Sequence, residues 1–194
     1  MRINWFCAFL LLSFSLWGQE DTLQRRKVNL IYFNQFQGGL LLGKKDNVYT
    51  FSGSVVQGIR LKNFSFGAGI GIEGYDFYKT TPLFGVLSYD FALHRRKKGQ
   101  GLFLQLQYGY AWANRLEDVG PWVAYYKDFG GKYFSPLLGF RWGTGSRMRM
   151  YFLVGYNRQI AGYEYGYEVW GGRRIFHYEE KFSRAVFKIG LGIN

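Results

Sequence analysis

Residues 64–77 read FSFGAGIGIEGYDF (Phe64–Phe77). Gly69, Gly71 and Gly74 stand in the G-x-G-x-x-G spacing of a dinucleotide-binding loop. Taken in steps of two, the same residues divide differently. Phe64, Phe66, Ala68, Ile70 and Ile72 fall on one side, and Ser65, Gly67, Gly69, Gly71 and Glu73 on the other. A nucleotide loop needs a strand before it and a helix N-terminus within it, to aim N–H groups at pyrophosphate. Here the alternation runs through the first two glycines, and YDFYKTTP follows, which has no helical pattern. The stretch is therefore a strand with one greasy face. Its glycines are small positions beside Glu73 on the other face.

The same period of two recurs along the chain. In 102–114, Leu102, Leu104, Leu106, Tyr108, Tyr110 and Trp112 oppose Phe103, Gln105, Gln107, Gly109, Ala111 and Ala113. In 134–143 the apolar set is Phe134, Pro136, Leu138, Phe140 and Trp142. In 148–157 it is Met148, Met150, Phe152, Val154 and Tyr156. The last stretch, from Ser183, sets Ala185, Phe187, Ile189, Leu191 and Ile193 against Arg184, Val186, Lys188, Gly190 and Gly192. Residues 32–42, 48–61 and 83–93 carry looser versions, making eight strands in all. Composition agrees, since 27 glycines, 3 prolines and 21% aromatics suit a β protein.

Before the first strand lies MRINWFCAFLLLSFSLWGQ, with Arg2 followed by an apolar run. It reads as a cleavable signal peptide over residues 1–18, leaving 19–194 as one domain. It falls short of the ~20 apolar residues of a spanning helix. The sole cysteine, Cys7, lies inside this leader, so the exported domain is expected to carry no disulfide. The net charge of +12 points toward anionic lipid, because an exported chain rarely meets nucleic acid.

The connections are asymmetric. LKN, HRRKKGQG and GTGSR are tight and polar. GKKDN and YDFYKTTP lie at the other end, with the longer RLEDVGPWVAYYKDFGGK and RQIAGYEYGYEVWGGRRIFHYEE. Short turns at one end and long loops at the other fit a transmembrane barrel. The faces fit too. Large apolar side chains occupy one side. The other mixes Gly, Ser and Gln with isolated charges, namely Arg60, Glu73, Asp90, Arg141, Arg149, Arg184 and Lys188. That set suits the narrow lumen of an eight-stranded barrel, where opposite charges pair. Lipid would take the apolar face, since a closed barrel is the β solution to pairing every backbone group in a membrane. The expected fold is an all-β, eight-stranded antiparallel up-and-down transmembrane β-barrel. Its short turns would be periplasmic and its longer loops extracellular, with aromatic rings gathered toward both membrane edges.

FGAGIGIEGYDF…TTPLFGVLSYDFAL and the closing FKIGLGIN resemble small outer-membrane β-barrel proteins of Gram-negative bacteria, the OmpX/OmpA-like and PorT-like barrels. The resemblance implies an outer-membrane barrel inserted by the barrel-assembly machinery. Members of that group serve as adhesion, stability, anchoring or secretion-accessory proteins. This chain departs from many of them by ending in Ile193-Asn194 rather than on an aromatic residue.

Chemistry is sparse. His94 opens HRRKK in a short turn and reads as solvated. His177, Glu179 and Ser183 share parity near the outer rim, where a lipid-ester hydrolase would place its residues. Ser183 is six positions from His177, about 20 Å along a strand, so contact needs a bend. No metal spacing and no cofactor motif is present. Arg95, Arg96, Lys97 and Lys98 at one edge, and Arg173 and Arg174 at the other, are candidate contacts for anionic lipid heads and lipopolysaccharide. The ring-rich loops supply a candidate recognition surface: Trp122, Tyr125, Tyr126, Tyr163, Tyr165, Tyr167 and Trp170. An alternative is that these rings pack between strands that continue past the membrane. The function expected is non-enzymatic, either an anchor presenting loops or an accessory subunit with an envelope protein partner. A rim hydrolase, a narrow channel and a soluble exported lipocalin-like carrier are its alternatives.

Overall fold

The computed structural model describes residues 30–43, 49–75, 78–91, 100–115, 125–143, 148–170 and 172–193. They form eight strands: β1 (Leu30–Leu42), β2 (Tyr49–Leu61), β3 (Phe64–Tyr75), β4 (Tyr78–Asp90), β5 (Gly101–Arg115), β6 (Tyr125–Gly143), β7 (Met148–Val169) and β8 (Gly172–Ile193). Each pairs antiparallel with its neighbours in sequence, and β1 closes on β8 from Asn34↔Ile193 to Leu42↔Ala185. The result is a closed up-and-down barrel, as the alternation predicts.

Closure depends on small residues where strands approach. At the seam, a Cβ on Gly39 would run into the Phe187 carbonyl and the Lys188 stem. At the β2–β3 hairpin the turn is only Lys62-Asn63, and Lys62 takes the left-handed φ of 54° that so tight a reversal requires.

Side-chain parity follows the sequence reading closely. In β3, Phe66, Ile70 and Ile72 point out and are about half exposed, while Ser65 and Glu73 are buried inside. In β5, Gln105 and Gln107 point in and Tyr108 and Trp112 point out. The outward side chains form an apolar belt around the barrel, including Val154 at 54% and Leu138 at 48% exposure. The inward ones form two packed apolar clusters, one around Phe33, Val56, Phe84 and Tyr133, the other around Leu41, Leu137, Tyr151 and Leu153.

The strands depart from expectation in length. YKTTP, assigned from sequence to a loop, belongs to β4, with Tyr78 and Thr80 buried inward. The second half of the third long loop is the start of β6, and nearly all of the fourth is the paired upper part of β7 and β8. The 22 residues of β7 extend about 75 Å at ~3.4 Å each, whereas about 9–11 tilted residues span a membrane. β6, β7 and β8 therefore continue as a three-stranded sheet beyond the barrel mouth. A register shift between Gly130 and Tyr133 marks where β6 passes from barrel to sheet. Such a bulge re-aims side chains, here by reversing which parity faces the axis.

Candidate functional site

The lumen is organised around Glu73 of β3, 1% exposed. Its Oε2 accepts from Asn157 Nδ2 of β7 at 2.7 Å and from the Tyr75 hydroxyl at 2.9 Å. Its Oε1 accepts from Ser52 of β2 at 3.2 Å and lies 3.3 Å from the Tyr133 hydroxyl of β6. Lys188 Nζ of β8, equally buried, stands 3.7 Å from Oε1. Tyr133 also reaches Gln107 Oε1 of β5 at 3.1 Å, and Thr80 of β4 donates to Gln159 Oε1 at 3.3 Å. One carboxylate thus ties β2, β3, β6, β7 and β8 together across the axis. A buried carboxylate is tolerated only with partners of this kind.

The other lumen charges cap the two ends. Toward the short turns, Asp90 accepts from Arg141 Nη1 at 3.0 Å and lies 3.5 Å from Arg60 Nε. Arg60 also donates to Ser65 and sits over the Phe33 ring. Arg149 faces the lumen at this end, opposite Gly192. Toward the long strands, Arg184 donates to Thr50 Oγ1 at 3.0 Å and lies over the Tyr75 ring at 4.9 Å. Tyr75 and Tyr78 pack on Phe182 above it. All seven lumen charges expected from parity face inward. Between these caps the bore is filled by rings, such as Phe84 on Tyr133 at 5.3 Å and Phe103 on Tyr151 at 5.9 Å.

The rim residues do not assemble. His177 Nδ1 lies 3.3 Å from Glu164 Oε1, and its ring stacks on Phe129 at 4.5 Å. Glu179 pairs with Lys181. Ser183 stands six residues down the regular strand β8, opposite Arg158. No bend brings its hydroxyl to His177, so the hydroxyl, imidazole and carboxylate of a hydrolase are not in reach of one another. Among the described residues no three metal-ligating side chains converge.

Of the rings named from sequence as a recognition surface, Tyr126, Tyr163, Tyr165 and Tyr167 lie on strands that continue past the barrel, as the alternative reading has it. Tyr126, Tyr163, Tyr165 and Tyr167 form a continuous stack with Phe176 and Tyr178 on the axial face of the β6–β8 sheet. They pack because cross-strand pairs such as Tyr165↔Phe176 share a face. Trp170 sits fully exposed at the hairpin tip. Arg174 is exposed just past that tip. Arg95, Arg96, Lys97, Lys98 and Trp122 lie outside the described residues, as do the side chains of Tyr125 and Arg173.

No family model matches the chain, and no curated protein does. Among solved structures, the chain is similar to Neisserial surface protein A, at 11% identity, 85% of this chain, 98% of that one and a TM-score of 0.46. It is also similar to the outer membrane protein AlkL, at 11% identity, 91% and 95% coverage and a TM-score of 0.47. A third is the translocator domain of the autotransporter NalP from Neisseria meningitidis, at 11% identity, 97% and 95% coverage and a TM-score of 0.30.

Proposed function

We propose that this chain is a non-enzymatic outer-membrane β-barrel whose occluded lumen serves as a rigid anchor for the β6–β8 sheet that it holds outside the membrane. The membrane placement rests on the closed barrel and its apolar outer belt. A water-soluble barrel of this size would turn those side chains inward and leave a polar exterior. The observation that carries the anchoring role is the Glu73 hub. Five strands are cross-linked through one buried carboxylate, with ring layers above and below it, so the bore is a packed core rather than a passage. Among the described residues, the sheet above it exposes Tyr167, Trp170, Ile175, Phe176 and Tyr178, which gives it surface to meet another molecule.

A planar-bilayer recording of the purified protein tests occlusion. The expected trace has no unitary steps. Reproducible steps whose size responds to Glu73→Ala would replace the anchor with a channel. Assays with phospholipid and lipopolysaccharide esters test the absence of catalysis. Turnover lost in both His177→Ala and Ser183→Ala would overturn it.

A further inference from the structure

Strand β8 has two halves. From Ala185 to Ile193 it lies between β7 and β1. From Gly172 to Arg184 it pairs, among the described residues, with β7 alone. Every second residue of that upper half turns its N–H and C=O away from β7, toward a side on which no described strand pairs with it. The side chains are open too: Ile175 is 59% exposed, Phe176 46% and Tyr178 49%. Along this edge the charges are ordered. Arg174 stands toward the hairpin tip, and Ile175 to Tyr178 are apolar or aromatic, with His177 facing Glu164 of β7. Glu179 and Glu180 stand toward the barrel, where an incoming cation would compete with the exposed Lys181 for Glu179 and meet Glu180 beside it.

We propose that the upper edge of β8 is a docking site for an extended strand of a partner protein, added by main-chain hydrogen bonds antiparallel to β8. Such addition takes its affinity from backbone pairing and its selectivity from the alternate side chains. The charge order specifies the partner. Basic residues at its N-terminal end would meet Glu179 and Glu180, an apolar centre would lie beside Phe176 and Tyr178, and an acidic C-terminal end would meet Arg174. A second copy of this chain fits poorly, an exclusion that rests on the membrane reading. In one membrane every β8 runs in the same direction. Two such edges would meet parallel and set Arg174 beside Arg174 and Glu180 beside Glu180.

The test uses the full barrel in lipid nanodiscs and three synthetic peptides as probes. One is Lys-Lys-Thr-Val-Thr-Val-Thr-Asp-Asp. The second has the same composition with its charges interleaved. The third has the charge order reversed. Amide hydrogen exchange is read along β8. The first peptide is expected to slow exchange in 172–180 and leave 185–193 unchanged, and to bind about fivefold tighter than the interleaved one. In the double variant Arg174→Glu/Glu180→Lys, preference is expected to pass to the reversed peptide. Exposed charges of this kind also keep strands off an edge, and that role alone predicts no protection by any peptide. That result, or protection indifferent to charge order, would overturn the proposal. Loss of the protein to the soluble fraction would instead overturn the membrane reading, so the two failures are distinct.

Discussion

Glu73→Gln is the substitution that bears most heavily on how the lumen is held. The amide keeps the shape of the carboxylate but only one acceptor oxygen, so it can still accept from Tyr75 and Asn157 or from Ser52, not from both sides. It cannot neutralise Lys188, whose ammonium lies 3.7 Å from Oε1 with both side chains 1% exposed. Removing one partner of a buried ion pair costs about 3–5 kcal/mol, because the remaining charge is left in a low-dielectric interior. Replacing both partners by neutral groups of similar volume is often close to neutral. Glu73→Gln is therefore expected to cost about 3 kcal/mol. Lys188→Met should cost a similar amount, and Glu73→Gln/Lys188→Met less than either. Urea unfolding and refolding in phospholipid vesicles, followed by tryptophan fluorescence, gives the three values. If Glu73→Gln falls within about 1 kcal/mol of the wild type, the range of an exposed pair, the hub does not hold the lumen. If the double variant costs the sum of the singles, the two charges are not coupled.

Four further outcomes follow from the same geometry. Leu138→Arg puts a charge on the outer face, between the Phe134 and Trp142 positions of β6, and is expected to cost about 2–4 kcal/mol in vesicles. Gly69→Val places a Cβ 2.6 Å from the Phe84 ring and is expected to lower stability by about 1–3 kcal/mol. Gly38→Ala, whose Cβ meets nothing within 4 Å, should leave the unfolding midpoint unchanged. Asp90→Asn leaves Arg141 and Arg60 without their shared carboxylate. It should lower the urea midpoint more than Arg60→Gln does, because only the former strands two guanidinium groups.

Parity carried most of the fold. A strand has a strict period of two, so which side chain faces the lumen is decided residue by residue, and all seven charges were legible that way. Which of them meet was not. The partners of Glu73 come from β2, β3, β6, β7 and β8, and their alignment depends on register between strands up to 115 residues apart, as Glu73 is from Lys188. Tyr133 shows a second limit. It lies in a Gly-rich stretch, GGKYF, that reads as loop, yet it continues the inward parity of Ser135 and Leu137 into the core, and the parity changes only at the bulge before it. The upper halves of β7 and β8 were legible only as an alternative. GYEYGYEV alternates Tyr163, Tyr165 and Tyr167 with Glu164, Gly166 and Glu168, a pattern shared by a ring-rich loop and a continuing strand, and its pairing with RRIFHYEE decides for the strand. The rim triad failed on a distance that strand rise alone foretells.

The central claim is a closed barrel seated in the outer membrane, and heat modifiability tests it most directly. Detergent-extracted outer membranes would be run boiled and unboiled on the same denaturing gel. The account predicts a compact, faster band that shifts on boiling. Recovery in the soluble periplasmic fraction with no shift would contradict it, because the apolar belt would then have no lipid to face.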